Sequence, residues 1–307
     1  MSELRFDRRV AVITGAGRGL GRSYALLLAA RGCKIVVNDN GSATRGDEIV
    51  ANPADEVVAE IIAAGGDAIA CVESVATPEG AAAIIQSAID TWGRIDILIH
   101  NAGNVRYGMI ADLSIDDFNA VTDVHFKGGF YLAKAAMPHM IAAKYGRVVL
   151  TASCSGLYGS QTTVNYGMSK AGLMGLNNVI ALEGGEHNIH SNTIIPAAVT
   201  RMADGLDTSS YPPLDPDLVS PMVAWLSHDS CGVTGEHYVA GGGRMARAWT
   251  IESKGQWQEN WTPEDVAANS ESIRNSEEKW VFPPYPSGMM DHLGETFKWA
   301  HNKGQDA

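Results

Sequence analysis

The sequence predicts an α/β fold with a doubly wound parallel sheet, and three observations support this. Short apolar runs alternate with longer helical patterns between residues 9 and 243. The runs are apolar at consecutive positions, as in a parallel sheet that helices cover on both faces. A glycine-rich turn joins the first run to the first helical pattern. Alternation of this kind is typical of right-handed strand–helix–strand crossovers.

Seven short runs are expected to form the parallel strands, and the longer patterns between them are expected to form helices. The strand candidates are Val10–Thr14, Lys34–Asn38, Ala68–Val72, Ile95–His100, Val148–Ala152, Asn192–Pro196 and His237–Ala240. The helix candidates carry Ala, Leu and Ile at helical spacing. They are Leu20–Arg31, Glu56–Ala64, Gly80–Trp92, Asp116–Ala143, Tyr166–Glu186 and Pro216–Leu226.

Residues 1–243 are predicted to form a single domain, and residues 244–307 a C-terminal appendage. Five of the seven tryptophans fall in the appendage, at Trp249, Trp257, Trp261, Trp280 and Trp299. We expect these rings to be buried, because exposing so many aromatics would leave a large apolar patch. The appendage is therefore expected to pack on its own domain or on a second subunit, near the last strand. The alternative is that it only covers apolar surface.

Charge and cysteine content limit the kinds of partner and the cellular compartment that we expect for this protein. The net charge is −12 and the isoelectric point is about 5.1, which argues against nucleic acid or an anionic membrane as the main partner. The four cysteines are dispersed, as in proteins of a reducing compartment. The N-terminus has no signal-peptide pattern, and the chain ends in Gln-Asp-Ala rather than Ser-Lys-Leu. We expect a cytoplasmic location. His187 and His190 lack a third ligand nearby, so no metal site is expected.

The glycine-rich turn, TGAGRGLG at residues 14–21, predicts a dinucleotide site. A tight turn needs a positive φ, and a pyrophosphate needs close approach of the backbone to a helix N-terminus. The turn lies between a strand and a helix, which is the context that makes this motif specific. The expected cofactor contacts here are Gly15, Arg18, Gly19, Leu20 and Gly21.

Asp39 ends the second strand, about 20 residues after the turn, where an adenosine ribose would present its hydroxyls. Its carboxylate would repel a 2′-phosphate by up to ~4 kcal/mol at ~4 Å and an effective dielectric of ~20. The sequence therefore favours NAD. Arg18 acts in the opposite direction, because a guanidinium could neutralise a 2′-phosphate. Asp39 could also do no more than cap a turn before Gly41.

Three residues predict proton chemistry on an alcohol or a ketone. Tyr166 and Lys170 are four residues apart at the start of a helix, so their side chains share one face. A neighbouring ammonium favours the phenolate, and lowering a tyrosine pKa by ~3 units requires ~4 kcal/mol. Ser153, at the carboxyl end of the fifth strand, can donate a hydrogen bond to a substrate oxygen.

These features together resemble the short-chain dehydrogenase/reductase family, over residues ~7–243. The resemblance rests on the glycine turn, Asn101-Ala102-Gly103, Ser153, Tyr166 and Lys170. It implies a Rossmann-type domain in which Tyr166 is the general base, Lys170 supports it and binds the nicotinamide ribose, and Ser153 polarises the oxygen. Further cofactor contacts implied by the resemblance are Ser74, Val75, Asn101, Ala102, Gly103, Pro196 and Thr200.

Within the family, five segments look most like the dehydrogenase parts of multifunctional enzymes: 37–39, 124–128, 155–159, 188–194 and 225–230. That likeness implies oxidation of a (3R)-3-hydroxyacyl-CoA or a 17β-hydroxysteroid by NAD. His125 stands where the family usually has an asparagine and is assigned to the proton relay. His100 replaces the first asparagine of the usual Asn-Asn-Ala-Gly sequence.

The resemblance also implies an assembly and a substrate loop. The family forms homodimers or homotetramers through two long helices, and residues 196–211 would form the loop over the substrate. Two alternatives stay open at this point. One is an NADPH-dependent ketoreductase on the same fold, and the other is a dinucleotide-sensing protein without turnover.

Overall fold

The computed structural model describes residues 3–42, 52–199 and 212–306, and its main feature is one eight-stranded sheet. The strands are β1 Val10–Thr14, β2 Lys34–Asn38, β3 Asp67–Cys71, β4 Ile97–His100, β5 Gly146–Thr151, β6 Ile189–Ala197, β7 Glu236–Gly241 and β8 Arg244–Ala248. Their spatial order is β3-β2-β1-β4-β5-β6-β7-β8. The predicted doubly wound α/β fold is confirmed.

Helices connect the strands and lie on both faces of the sheet. They are α1 Gly19–Ala30, α2 Pro53–Ala63, α3 Pro78–Trp92, α4 Ile115–Thr122, α5 Gly128–Ala143, α6 Cys154–Tyr158, α7 Val164–Gly184 and α8 Ser220–Leu226. Short 3₁₀ turns span Gly185–His187 and Pro216–Leu218. Among the described residues, no helix is both long and apolar enough to cross a membrane.

The sheet is apolar on both faces because each face packs against its own helices. Along β1, Ala11 and Ile13 belong to one buried cluster, while Val10 and Val12 belong to the cluster on the other side. Fully burying a side chain such as Ile13 contributes about 1.5–3 kcal/mol. Two-sided burial is the reason that the strand sequences are continuously apolar rather than alternating.

The predicted helix over residues 116–143 is interrupted by a π-turn at Asp123–Lys127, which separates α4 from α5. The chain stays helical through the interruption, but one turn is wider than an α-turn. The helical pattern of residues 116–143 is interpreted as one continuous helix, and it does not predict this wider turn. His125 lies inside the π-turn.

The sheet has one strand more than the seven that the sequence predicts. β8 pairs antiparallel with β7 through a tight turn at Gly242 and Gly243, whose φ values of 57° and 78° are left-handed. The predicted domain boundary at residue 243 therefore falls inside a hairpin. The first five residues assigned to the appendage belong to the sheet.

Beyond β8 the appendage contains a two-stranded ladder and three helices. The strands are β9 Glu252–Ser253 and β10 Lys279–Trp280, and the helices are α9 Pro263–Ala268, α10 Ser270–Ile273 and α11 Met289–Asp306. Tyr285 packs on Gly185, where a Cβ would come within 2.1 Å of the Tyr285 ring, and Pro284 packs on Gly235. These contacts lie at the amino end of β7, opposite the end at which Pro196 lies.

The expected burial of the five appendage tryptophans is wrong for the single chain. Trp249 is 56% exposed and Trp261 is 37% exposed, and the other three are half-buried. The rings of Trp280 and Trp299 contact each other edge to face at 5.9 Å between centroids. The segment is thus held by aromatic contacts with itself and by a small contact with Gly185 and Gly235, not by insertion into the core.

Two truncated chains distinguish the contribution of β8 to stability from that of the rest of the appendage. A chain ending at Ala248 should melt close to the full-length protein, because the contact it loses is small. A chain ending at Gly243 should melt several degrees lower, since it also loses the β7–β8 ladder, and ~1 kcal/mol corresponds to ~2–4 °C at this size. Thermal unfolding followed by circular dichroism measures both. Equal melting temperatures for the two truncated chains would show that β8 adds nothing to the sheet.

Candidate active site

A cavity of about 390 Å³ opens at the carboxyl ends of the strands, where β1 and β4 are neighbours and the strand order reverses. Fourteen of the residues predicted for the site line it: Gly15, Arg18, Gly19, Leu20, Asp39, Ser74, Val75, Asn101, Ala102, Gly103, His125, Tyr166, Lys170 and Pro196. Gly21 and Ser153 lie just outside this lining. Thr200 and most of the predicted substrate loop fall outside the described residues.

The glycine turn folds as its sequence predicts, and close packing explains two of its glycines. Gly15 has a φ of 63°, and a Cβ there would lie 2.8 Å from the Cα of Ala102. A Cβ on Gly21 would lie 2.2 Å from the carbonyl oxygen of Gly15. Gly15 and Gly21 are therefore required by the conformation and packing of the turn. Gly19, the remaining glycine of the predicted contacts, begins α1.

The N-terminus of α1 is available for an anion. Arg18 is the N-cap residue, and no side chain caps the helix. The first turn also contains no acidic residue. Unpaired N–H groups and the positive end of the helix dipole therefore face the cavity beside Gly19, which fits a pyrophosphate.

Asn101 fastens the turn to the neighbouring strand. Its Nδ2 donates to the carbonyl oxygens of Thr14, at 3.2 Å, and Gly15, at 3.1 Å. The Oγ1 of Thr14 in return accepts the backbone N–H groups of Asn101 and Ala102, each at 3.1 Å. The cofactor turn and the end of β4 therefore form one hydrogen-bonded unit.

Asp39 lines the cavity and also holds two turns in place. Its Oδ2 accepts the N–H of Gly17 at 3.1 Å, and its Oδ1 accepts the N–H of Gly41 at 2.9 Å. Asp39 therefore caps a turn, as the alternative from the sequence proposed. The same carboxylate also borders the cavity, so it remains available to contact a cofactor.

Lys170 is buried under the cavity with its ammonium on a backbone carbonyl. Nζ donates to the carbonyl oxygen of Thr151 at 2.5 Å and lies 5.4 Å from the centroid of the Tyr166 ring. Burial lowers the pKa of Lys170 to about 7. An amine with this pKa can be charged or neutral near physiological pH, so small changes around it alter its charge.

Tyr166 differs from the expectation that its pKa is lowered. Burial raises the pKa of its phenol above the ordinary value, and a hydrogen bond with Ser153 opposes this only in part. Without a nicotinamide cation, desolvation of the phenol outweighs the interactions that favour the phenolate. The phenolate therefore needs more positive charge than this structure supplies.

Ser153 is held beside Tyr166, with which its hydroxyl forms a hydrogen bond. It is the N-cap of α6, and its Oγ accepts the N–H of Ser155 at 3.2 Å. The serine is 9% exposed, at the edge of the site. This placement fits the predicted role of polarising a substrate oxygen.

His125 packs against Tyr166. The two rings meet edge to face with centroids 5.1 Å apart, and Nε2 of His125 pairs with the backbone of Asn104. Its Nδ1 is buried without a partner. Burial, with the nearby charge of Lys170, holds the pKa of His125 well below its usual range, so the ring is neutral.

Three supporting residues were not predicted from the sequence. Thr14 anchors the residues that follow the end of β4, Thr151 supplies the carbonyl for Lys170, and Asn165 accepts the N–H of Tyr166 at 2.8 Å. Only the position of Thr14 before the first glycine could have indicated its role. In the described part of the chain, no group of three or more His, Cys, Asp or Glu residues is placed to hold a metal ion.

Comparison with known proteins decides the family. A family model described as short chain dehydrogenase matches residues 9–209. The chain belongs to the short-chain dehydrogenase/reductase family. A short-chain type dehydrogenase/reductase of Mycobacterium tuberculosis is 45% identical over 262 residues, which cover 85% of this chain and 92% of that protein.

Other members of the family contain a similar dehydrogenase as part of a longer chain. The peroxisomal multifunctional enzyme type 2 of Drosophila melanogaster is 45% identical over 254 residues, covering 82% of this chain but 42% of that protein. The solved full-length structure of that enzyme superposes with a TM-score of 0.80 at 34% identity, covering 97% of this chain and 50% of that one. The present chain thus spans about half the length of the multifunctional relative.

The buried amine gives a pH dependence of stability with a defined sign. The pKa of Lys170 is about 7 in the folded chain and 10.5 ordinarily, so between these values the unfolded chain binds more protons. Relative to Lys170→Met, the wild type should therefore gain up to about 3 kcal/mol between pH 7 and pH 9. Urea unfolding at each pH measures this difference. A gap that stays constant with pH would mean that the lysine keeps its ordinary pKa.

Proposed function

We propose that this chain is an NAD-dependent dehydrogenase that oxidises a secondary alcohol to a ketone. The observation that carries the proposal is the pairing of Tyr166 with buried Lys170 on one face of α7, at the cavity that Asp39 and the glycine turn also line. The substrate that we favour is a (3R)-3-hydroxyacyl-CoA or a 17β-hydroxysteroid. This choice rests on the resemblance to multifunctional enzymes.

The preference for NAD rests on the fixed carboxylate of Asp39. Two backbone N–H groups hold it at the end of β2, so it cannot easily turn away from a ribose. A ribose 2′-hydroxyl can donate to such a carboxylate, whereas a 2′-phosphate would be repelled. Arg18 lines the same cavity and favours the alternative, an NADPH-dependent ketoreductase.

The chemistry divides among three side chains. NAD, when bound, supplies the hydride acceptor. Ser153 donates a hydrogen bond to the substrate oxygen and fixes the carbinol beside Tyr166. Tyr166 takes the hydroxyl proton at its phenol oxygen as general base. Lys170, as an ammonium, stabilises the phenolate and can bind the nicotinamide ribose.

Burial makes the ionisation of the tyrosine and that of the lysine interdependent. Each charge alone is disfavoured in the buried site, as the raised pKa of Tyr166 and the lowered pKa of Lys170 show. A phenolate next to an ammonium offsets part of both desolvation costs. A cationic nicotinamide would add the further positive charge that the phenolate needs.

An apolar surface at the mouth of the site supports a bulky, apolar substrate. Tyr107, Met109 and Ile110 follow β4 and are 60%, 54% and 78% exposed. A bridge between Gly108 and Thr163 holds this loop beside the start of α7. Tyr158, at the end of α6, is 81% exposed. An acyl chain or a steroid would cover such side chains favourably.

We further propose a homodimer or homotetramer located in the cytoplasm. The π-turn, α5 and α7 expose large apolar side chains, at Phe126, Phe130, Met168 and Val179. A two-fold interface is self-complementary, so these helices can pair with their own copies. The four cysteines are free, which suits a reducing compartment. The remaining partners in this proposal are the cofactor and a small-molecule alcohol.

The coenzyme preference is testable through the charge at residue 39. Asp39→Asn keeps the shape and an acceptor but removes the charge, so the NAD:NADP ratio of kcat/KM should fall by about tenfold or more. Asp67→Asn, which changes an exposed carboxylate at the start of β3, should leave the ratio unchanged. Wild-type preference for NADP would contradict the proposal and support the ketoreductase.

Turnover itself is tested with hydroxyacyl-CoA thioesters, estradiol and testosterone, each with NAD. Tyr166→Phe should lower kcat at least ~100-fold, because it removes the base while keeping the ring. Tyr24→Phe removes a buried hydroxyl that has no partner and does not line the cavity, so this variant should keep the wild-type kcat. Activity of Tyr166→Phe within tenfold of wild type would refute the assigned base. Dinucleotide binding with no turnover on any of the alcohols would favour the sensing protein.

A further inference from the structure

His100 lies at the end of β4 with both ring nitrogens hydrogen-bonded, although it is 1% exposed. Nδ1 is 3.1 Å from the Oγ1 of Thr14, and Nε2 is 2.9 Å from the carbonyl oxygen of His125. Residue 100 therefore contacts the cofactor turn on one side and the π-turn on the other. No role in the chemistry described so far requires it.

The hydrogen bonds assign the tautomer of the ring. The hydroxyl of Thr14 already accepts two backbone N–H groups, so its own hydrogen is left to donate to Nδ1 of His100. Nε2 must then carry the hydrogen and donate it to the carbonyl of His125. The low pKa of His100, about 4 because of burial and the charge of Lys170, agrees with a neutral ring.

The carbonyl that accepts this hydrogen bond belongs to the residue that packs on the base. His125 lies in the π-turn, and its ring meets the Tyr166 ring edge to face at 5.1 Å. Glycines make room for both imidazoles. A Cβ on Gly103 would lie 2.3 Å from the His125 ring, and one on Gly129 would lie 3.2 Å from the His100 ring. The two rings thus sit in closely fitted positions.

We propose that His100 is a positioning residue for the base. Its Nε2–H fixes the carbonyl of His125, so the π-turn holds the His125 ring against Tyr166, and its Nδ1 ties this arrangement to the cofactor turn through Thr14. The inference rests on the proposed function, which makes Tyr166 the base. Asparagine at residue 100 is too short to span the same two partners, so this link is a feature of histidine.

Three substitutions test the link. His100→Gln offers one donor and one acceptor at similar reach, and its kcat should stay within about threefold of wild type. His100→Phe keeps the ring shape but loses both hydrogen bonds. In His100→Asn the side chain is too short to reach both partners. In both, kcat should fall about ten- to a hundredfold, while the Kd for NAD and the substrate KM change less than about threefold.

Two outcomes would overturn the positioning role in folded variants. One is a kcat of His100→Phe within threefold of wild type, and the other is a His100→Gln as slow as His100→Phe. Thermal unfolding checks that each variant is folded. If wild type shows no turnover on any alcohol, the proposed function fails and these kinetic comparisons fail with it.

A measurement on the wild type does not depend on turnover or on the folding of a variant. Nitrogen-15 NMR of the imidazoles, assigned through ring-to-backbone correlations, reports which nitrogen of His100 carries hydrogen. The expected result is a neutral ring protonated at Nε2 that does not titrate between pH 6 and 8. Hydrogen on Nδ1, or a ring that titrates in this range, would overturn the proposal.

Discussion

The buried amine of Lys170 is the constraint on which the rest of the site depends. Its Nζ donates to the carbonyl oxygen of Thr151 at 2.5 Å, and burial lowers its pKa to about 7. A lysine in such a place is costly to charge. In the proposed function, the phenol of Tyr166 is the group that gains from this charge. Burial, with the charge of Lys170 acting in the same direction, lowers the pKa values of His100 and His125, so both imidazoles are neutral.

The parallel topology brings this amine to the cofactor turn. Because parallel strands end on the same side, the ends of β1, β4 and β5 place Thr14, His100 and Thr151 around one cavity. Backbone hydrogen bonds to Thr14 join the turn to β4, and His100 joins β4 to the π-turn. A displacement of the cofactor turn would therefore reach Tyr166 through two hydrogen bonds of His100 and the ring contact of His125 with Tyr166.

Much of this could be predicted from local sequence. The two-sided burial of the strands follows from their continuous apolar runs, and the ligand sites follow from the glycine turn, Asp39 and the four-residue spacing of Tyr166 and Lys170. What could not be predicted depends on contacts between distant residues. The eighth strand needs β7 as a partner, and the raised pKa of Tyr166 needs the burial that tertiary packing creates. The π-turn leaves almost no trace in periodicity.

The appendage also shows that the sequence does not predict contacts between distant residues. Its composition implies burial, yet within one chain Trp249 and Trp261 stay exposed. Composition reports that apolar surface exists, but it does not report which surface covers it. The small contact of Tyr285 with Gly185 and of Pro284 with Gly235 anchors the segment without enclosing its aromatic side chains.

The central claim is that buried Lys170 and the cofactor together set the ionisation of Tyr166. Difference ultraviolet titration of wild type against Tyr166→Phe, with and without saturating NAD, measures the phenol directly. The account predicts a pKa above the ordinary value in the free protein and a pKa at least about one unit lower in the NAD complex. The same pKa in both states, or a higher one with NAD bound, would contradict it.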